Sequence, residues 1–169
     1  MFLFLKSFYS VVIRLAKTGE FVMSENIFYK LTPDIKLATH FELEKLPNDE
    51  YIIKNTALKK VWDNPRGNYN SKLISYAHHG GVNQKWTLTP KHEGIFIIKN
   101  LNKTISYNPS DGYLYVNDNS GKDSFFIDEE GSGKDNFKFF DPLYLFFGNI
   151  AQRAAYFVDF FRWNIKRFS

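Results

Sequence analysis

Two stretches of this chain nearly repeat each other at a fixed distance. Tyr51-Ile52-Ile53-Lys54-Asn55 is answered by Phe96-Ile97-Ile98-Lys99-Asn100, at an offset of 45 residues. Lys60-Val61-Trp62-Asp63-Asn64 then stands opposite Thr104-Ile105-Ser106-Tyr107-Asn108, at an offset of 44. Gly81-Val82-Asn83-Gln84-Lys85-Trp86 stands opposite Gly121-Lys122-Asp123-Ser124-Phe125-Phe126, at an offset of 40. Self-similarity at such a period means one supersecondary unit copied along the chain, each copy burying its apolar face against the others. The falling offset places a shorter loop in the later copy. Short alternating runs separated by Asn64-Pro65-Arg66-Gly67, Pro109-Ser110-Asp111-Gly112 and Asn117-Asp118-Asn119-Ser120-Gly121 read as four strands and their turns in each copy.

An earlier copy shows itself by its end. His40-Phe41-Glu42-Leu43 leads through Lys45-Leu46-Pro47-Asn48-Asp49 into Tyr51, as Trp86-Thr87-Leu88 leads through Pro90-Lys91-His92-Glu93-Gly94 into Phe96. Phe41 is then the counterpart of Trp86. The remaining strands of that degenerate first copy fall within residues 2 to 38, and Ser7 to Leu15 fits either a strand or a short helix. Three aromatic plugs, Phe41, Trp86 and Phe126, are expected to meet in one core. The expected fold class is all-β over residues 1–140, three four-strand repeats, followed by an amphipathic α-helix over 141–169. Asp141-Pro142 suits the start of that helix as cap and first residue. Its polar residues, Asn149, Gln152, Arg153, Asp159, Arg162 and Lys166, form a narrow wet stripe. Between repeats and helix, Asp128-Glu129-Glu130 through Asp135 reads as a polar loop, and Asn136 to Phe140 as one more strand.

Composition narrows the function classes. At 169 residues the chain can bury a sizeable core. Eighteen Phe and ten Tyr favour strands and adhesive surfaces. A formal net charge of +4, spread along the chain, is not the clustered footprint of a nucleic-acid binder. With no Cys there is no disulfide framework and no thiolate metal site. His78 and His79 are adjacent, so on extended chain they point apart, and no metal site is expected. Lys6 interrupts the apolar start Met1-Phe2-Leu3-Phe4-Leu5 and no small-residue cleavage site follows, so a cytoplasmic or non-classically secreted protein is favoured, with the compartment open. No serine-nucleophile elbow, phosphate loop, zinc-protease helix or dinucleotide fingerprint is present, and the chain is expected to be non-catalytic, with no cofactor.

The most informative stretch runs from Leu73 to Leu88. An alternating strand ends at Tyr76, a Gly80-Gly81 turn follows, and Asn83-Gln84 stands just before Trp86. With a side-chain period of two, Gln84 is expected on the strand face of the buried Trp86. Gln84-Lys85-Trp86 is the Gln-any-Trp signature, and together with the four-strand copies it resembles the ricin B-type β-trefoil lectin family over residues 51 to 127. The resemblance implies a β-trefoil carrying shallow sugar sites. It implies that Asp63 accepts hydrogen bonds from two sugar hydroxyls, that Tyr76 stacks on the sugar's apolar face, that Asn83 bonds a hydroxyl, and that Gln84 braces Asp63. The chemistry agrees: a hydroxyl-rich ligand needs rigid planar acceptors and donors, and its C–H face needs an aromatic platform.

The other copies depart from this pattern. Tyr107 takes the Asp position, Asp123 and Ser124 replace the Asn-Gln pair, and Val116 takes the platform position. The first copy has no such pair before Phe41. One carbohydrate pocket is therefore expected, with a glycan as partner. The alternative is a trefoil that binds protein, such as a toxin targeting subunit or a protease inhibitor. Residues 143–168 offer a surface for a protein partner, self-association or peripheral membrane contact.

Overall fold

A computed structural model describes residues 9–67, 69–92, 94–118, 123–129 and 138–139. The apolar start before residue 9, the loop at 130–137 and the expected helix over 141–169 lie outside them. The described residues carry fourteen strands in one hydrogen-bonded network and no α-helix.

The first copy consists of β1 (Tyr9–Leu15), β2 (Phe21–Glu25), β3 (Phe28–Thr32) and β4 (Phe41–Lys45). Ser7 to Leu15 is thus resolved in favour of strand from Tyr9 onward. The second copy has β5 (Glu50–Asn55), β6 (Lys60–Asp63), a two-residue β7 (Ser71–Lys72), β8 (Ile74–Tyr76) and β9 (Trp86–His92). The third has β10 (Ile95–Asn100), β11 (Lys103–Asn108), β12 (Tyr113–Asn117) and β13 (Phe125–Glu129). A short β14 (Lys138–Phe139), inside the strand expected at 136–140, adds to β13.

The first and last strands of the copies close a ring. Going round it, β1 pairs β4, β4 pairs β5, β5 pairs β9, β9 pairs β10, β10 pairs β13 and β13 returns to β1, every pairing antiparallel. Closure removes the exposed backbone edges that an open sheet would present. The middle strands form three hairpins, β2–β3, β6–β8 and β11–β12, tied across one end of the ring by β3–β8, β3–β12 and β7–β12 pairings. Three hairpins over a six-strand ring make a β-trefoil-like architecture.

Side-chain alternation decides what lies inside. Along β10, Phe96, Ile98 and Asn100 are buried while Ile95, Ile97 and Lys99 are half-buried. Equivalent residues pair in each copy: Val11 with Phe41, Tyr51 with Trp86, Phe96 with Phe125. All six are buried. Phe41 and Trp86 are plugs as expected, but Phe126 is not. Phe125 fills the core, and Phe126 faces outward, half-buried, with the Arg14 guanidinium 4.6 Å from its ring centroid. A slip of one residue moves a strand's whole inward set to the other face. Register against Phe96 makes the offset of the last strand 39, from 86 to 125, and not 40.

The second strands shift as well. Lys54 pairs Val61 and Lys99 pairs Thr104, so the offset there is 43 and Asp63 corresponds to Ser106, not Tyr107. Val61 pairs Tyr76 and Thr104 pairs Asn117, so the counterpart of Tyr76 is Asn117, not Val116. A third correction concerns Asp128. It belongs to β13, is 1% exposed, and forms a two-pronged ion pair with Arg14 of β1. It is not part of a solvated loop.

Trp62 sits at the centre of the core, fully buried. Its ring lies 5.4 Å from Tyr29, 5.3 Å from Phe41 and 5.8 Å from Trp86, the last two edge-on. Edge-to-face contact suits the ring quadrupoles, and Trp86 Nε1 donates to the Trp62 carbonyl at 3.2 Å. This contact joins the core to the strand that ends in Asp63.

Candidate functional site

Asp63 is the last residue of β6, and its side chain is 3% exposed. Burying a charged carboxylate is tolerable only with hydrogen-bond donors around it. Asn83 Nδ2 donates to Oδ1 at 2.9 Å and Gln84 Nε2 donates to Oδ2 at 2.8 Å. His79 Nε2 lies 3.3 Å from Oδ2. Tyr76, at the end of β8, is 54% exposed and meets the His79 ring edge-on at 6.1 Å. The four expected polar-site residues, Asp63, Tyr76, Asn83 and Gln84, are therefore gathered in one place, on β6, β8 and the approach to β9.

Gln84 reaches this position differently from expectation. Val82–Gln84 is a turn of 3₁₀-helix, so Gln84 is not on the strand of Trp86. From that turn its fully buried amide meets four groups. Besides Asp63 it donates to the Ala77 carbonyl at 2.9 Å, and its Oε1 accepts from the backbone N–H of His79 at 2.9 Å and of Gly80 at 3.2 Å. It braces the carboxylate and the 77–80 loop together. Gly80 has φ +75°, where a side chain would be strained. At Gly81 the need is space: an added Cβ would fall 2.6 Å from Asn83 Oδ1 and 2.8 Å from His79 Cε1.

A lattice of asparagines lies beneath the turn. Asn100 Nδ2 donates to the carbonyls of Val82 at 2.8 Å and Lys85 at 2.9 Å, just before and just after Asn83 and Gln84. Asn64, fully buried, donates from its side chain to Asn100 Oδ1 at 2.8 Å and to Gly67 O at 2.7 Å, and accepts from Ser71 at 3.2 Å. Its backbone N–H donates to the Asn83 carbonyl at 3.0 Å. His79, Asn64 and Asn100 belong to the site and were not singled out from sequence as part of it. Asn100 sits at the end of the repeated Ile-Ile-Lys-Asn run, and that recurrence was the available signal.

The matching places in the other copies hold different chemistry. Two residues before each plug stands a buried polar residue, Thr39, Gln84 or Asp123. Thr39 Oγ1 accepts from Ser24 N at 2.7 Å, and Asp123 accepts from Tyr107 N at 2.7 Å and from Lys17 Nζ at 2.8 Å. Thr39 braces its own lobe, and Asp123 ties the third lobe to the first. In the third lobe Ser106 and Asn117, at the Asp63 and Tyr76 positions, bond one another at 2.7 Å. Only the second lobe keeps carboxylate, amides and an exposed aromatic together among the described residues. Those residues contain no group of three or more His, Cys, Asp or Glu placed to hold a metal ion.

No protein-family model matches this chain, and no curated protein matches it in sequence. Solved structures do resemble it. A designed threefold-symmetric protein, ThreeFoil, superimposes with a TM-score of 0.60 at 15% identity, over 70% of this chain and 96% of that one. A salivary protein from Culex quiquefasciatus, of the cysteine and tryptophan-rich family, gives 0.61 at 12% identity, over 75% and 97%. A GH43 β-1,3-galactosidase gives 0.63 at 20% identity over 78% of this chain, which matches only 29% of the enzyme's length. At these identities the likeness establishes the β-trefoil-like fold alone.

Proposed function

We propose that this chain is a non-catalytic carbohydrate-binding protein of ricin B-like character, with a single pocket in its second lobe. The observation that carries the reading is the Asp63 carboxylate, held by Asn83 at 2.9 Å and Gln84 at 2.8 Å beside the exposed Tyr76 ring. A fixed carboxylate and amide supply acceptors and donors for hydroxyl groups without ordering cost. Tyr76 offers a face for sugar C–H groups. Asp63 takes the role of hydroxyl acceptor, Asn83 of second hydroxyl partner, Gln84 of brace and Tyr76 of platform. One shallow pocket binds weakly, so physiological avidity would come from multivalency.

A glycan array followed by titration of the best ligand into wild type and Asp63→Ala tests this. Binding should fall at least tenfold in the variant, a loss of about 1.4 kcal/mol or more. Circular dichroism must show that the variant is folded. Unchanged binding in a folded Asp63→Ala protein removes the pocket assignment. The burial of Asp63 beneath His79 favours one second reading, a trefoil that recognises protein with no sugar site. Absence of any glycan binding alongside capture of a defined protein partner would support it.

A further inference from the structure

The Asp63 carboxylate is already well supplied with donors. An ionised carboxylate offers about four acceptor positions. Asn83 takes one on Oδ1, and Gln84 and His79 both take Oδ2. The His79 tautomer follows from its other nitrogen. Gly81 N–H donates to Nδ1 at 3.2 Å, so the ring proton sits on Nε2 and points to Asp63.

These three donors differ in how they are held. Gln84 is fully buried and held by Ala77, His79 and Gly80. Asn83 is fixed within the 3₁₀ turn. The His79 side chain is 45% exposed and lies next to the exposed Tyr76 ring. Its loop is held chiefly by the backbone N–H groups of His79 and Gly80, both donating to Gln84 Oε1, with the Gly81 N–H bond to the imidazole as an addition. The ring can therefore leave Asp63 by rotating toward solvent, at the cost of one long hydrogen bond and the Gly81 contact.

We infer that His79 is the affinity- and specificity-determining residue of this pocket. Its imidazole occupies the Oδ2 acceptor position that the second hydroxyl of a vicinal diol would use, and such a ligand must displace it. This inference rests on the carbohydrate-binding reading. With the ring in place, Asp63 keeps one unused acceptor position on Oδ1. With the ring gone, two adjacent hydroxyls can bond the carboxylate together.

The test compares wild type with His79→Ala on a glycan array, then titrates the best pyranoside and its monodeoxy analogues into both. The variant should bind the parent sugar about three- to tenfold more tightly, the range expected for removing one competing hydrogen bond. The gain should vanish for the analogue that lacks one of the two adjacent hydroxyls. In wild type, nitrogen resonances of the His79 ring should shift on titration as Nε2–H leaves Asp63. Sugar binding by His79→Ala alone would also uphold the inference. Wild-type binding that is equal or weaker in His79→Ala, or His79 resonances that stay still at saturation, overturns the role of His79 and leaves the lectin reading standing. No binding by either folded protein overturns both.

Discussion

At the scale of single residues, the site depends on close approach. Gly81 has an ordinary backbone, but a methyl there would meet the side chains of Asn83 and His79 at under 3 Å. Both can move aside, so Gly81→Ala is expected to cost less than about 1 kcal/mol of stability. Displacement of Asn83 loosens its bond to Asp63, and in the His79→Ala background, where no imidazole is moved, Gly81→Ala should lower sugar affinity roughly tenfold, since preorganisation within about 0.5 Å sets binding. Paired thermal melts and titrations separate the two effects. Tyr29 offers a second test. Burial pushes its phenol up to about 12, outweighing the hydrogen bond with Ser75. The folded state then holds its proton more tightly than the unfolded chain, where tyrosine titrates near 10. The resulting stability is intact below pH 10 and lost as pH rises from about 10 to 12. Urea midpoints should decline more steeply over that interval in wild type than in Tyr29→Phe.

At the scale of elements, the Val82–Gln84 turn is held from outside its own lobe. Asn100, the last residue of β10, clasps the Val82 and Lys85 carbonyls and receives Asn64. Asn100→Ala removes one bond each from the Val82 carbonyl, the Lys85 carbonyl and the Asn64 amide, of which Val82 O keeps Lys85 N–H and Asn64 keeps Gly67 O, and a loss of about 1–2 kcal/mol is expected. Hydrogen exchange should locate the damage. The amides of Gln84 and Lys85, which close the 3₁₀ turn onto Gly81 and Val82, should exchange faster, while those of the distant β2–β3 hairpin stay protected. The hairpin cap has its own fastening. Lys72 Nζ of β7 lies 3.8 Å from the Tyr113 ring centroid of β12, and Lys30 Nζ of β3 lies 4.6 Å from it, so one aromatic ring joins strands of all three lobes.

At the scale of the molecule, the ring must be closed between its first strand and its last. Arg14 of β1 and Asp128 of β13 sit at that seam, with Phe126 packed against the guanidinium. Removing one member of a buried pair strands the other charge. Asp128→Ala is expected to cost about 2–4 kcal/mol, discounted because Arg14 is partly exposed. The double change Arg14→Met with Asp128→Leu should recover most of that loss. Chemical denaturation of wild type and both variants decides the matter; a double variant no more stable than Asp128→Ala would show that the seam needs its charges.

The sequence alone determined the repeating unit, because alternation and turn residues act locally and recur. Copies built on Tyr51 and Phe96 and the plugs Phe41 and Trp86 were legible from it, and the convergence of Asp63, Tyr76, Asn83 and Gln84 was implied by the resemblance to a lectin family. Pairing across the ring decided the rest. Phe125 and Phe126 are adjacent and chemically identical, so only register against Phe96 distinguishes inside from outside. The roles of His79 and Asn100 depend on partners 16 and at least 15 residues away along the chain, brought near by strand pairing. Local pattern carries no information about such contacts, because a hydrogen bond between distant segments exists only once the closed sheet has set the distance between them.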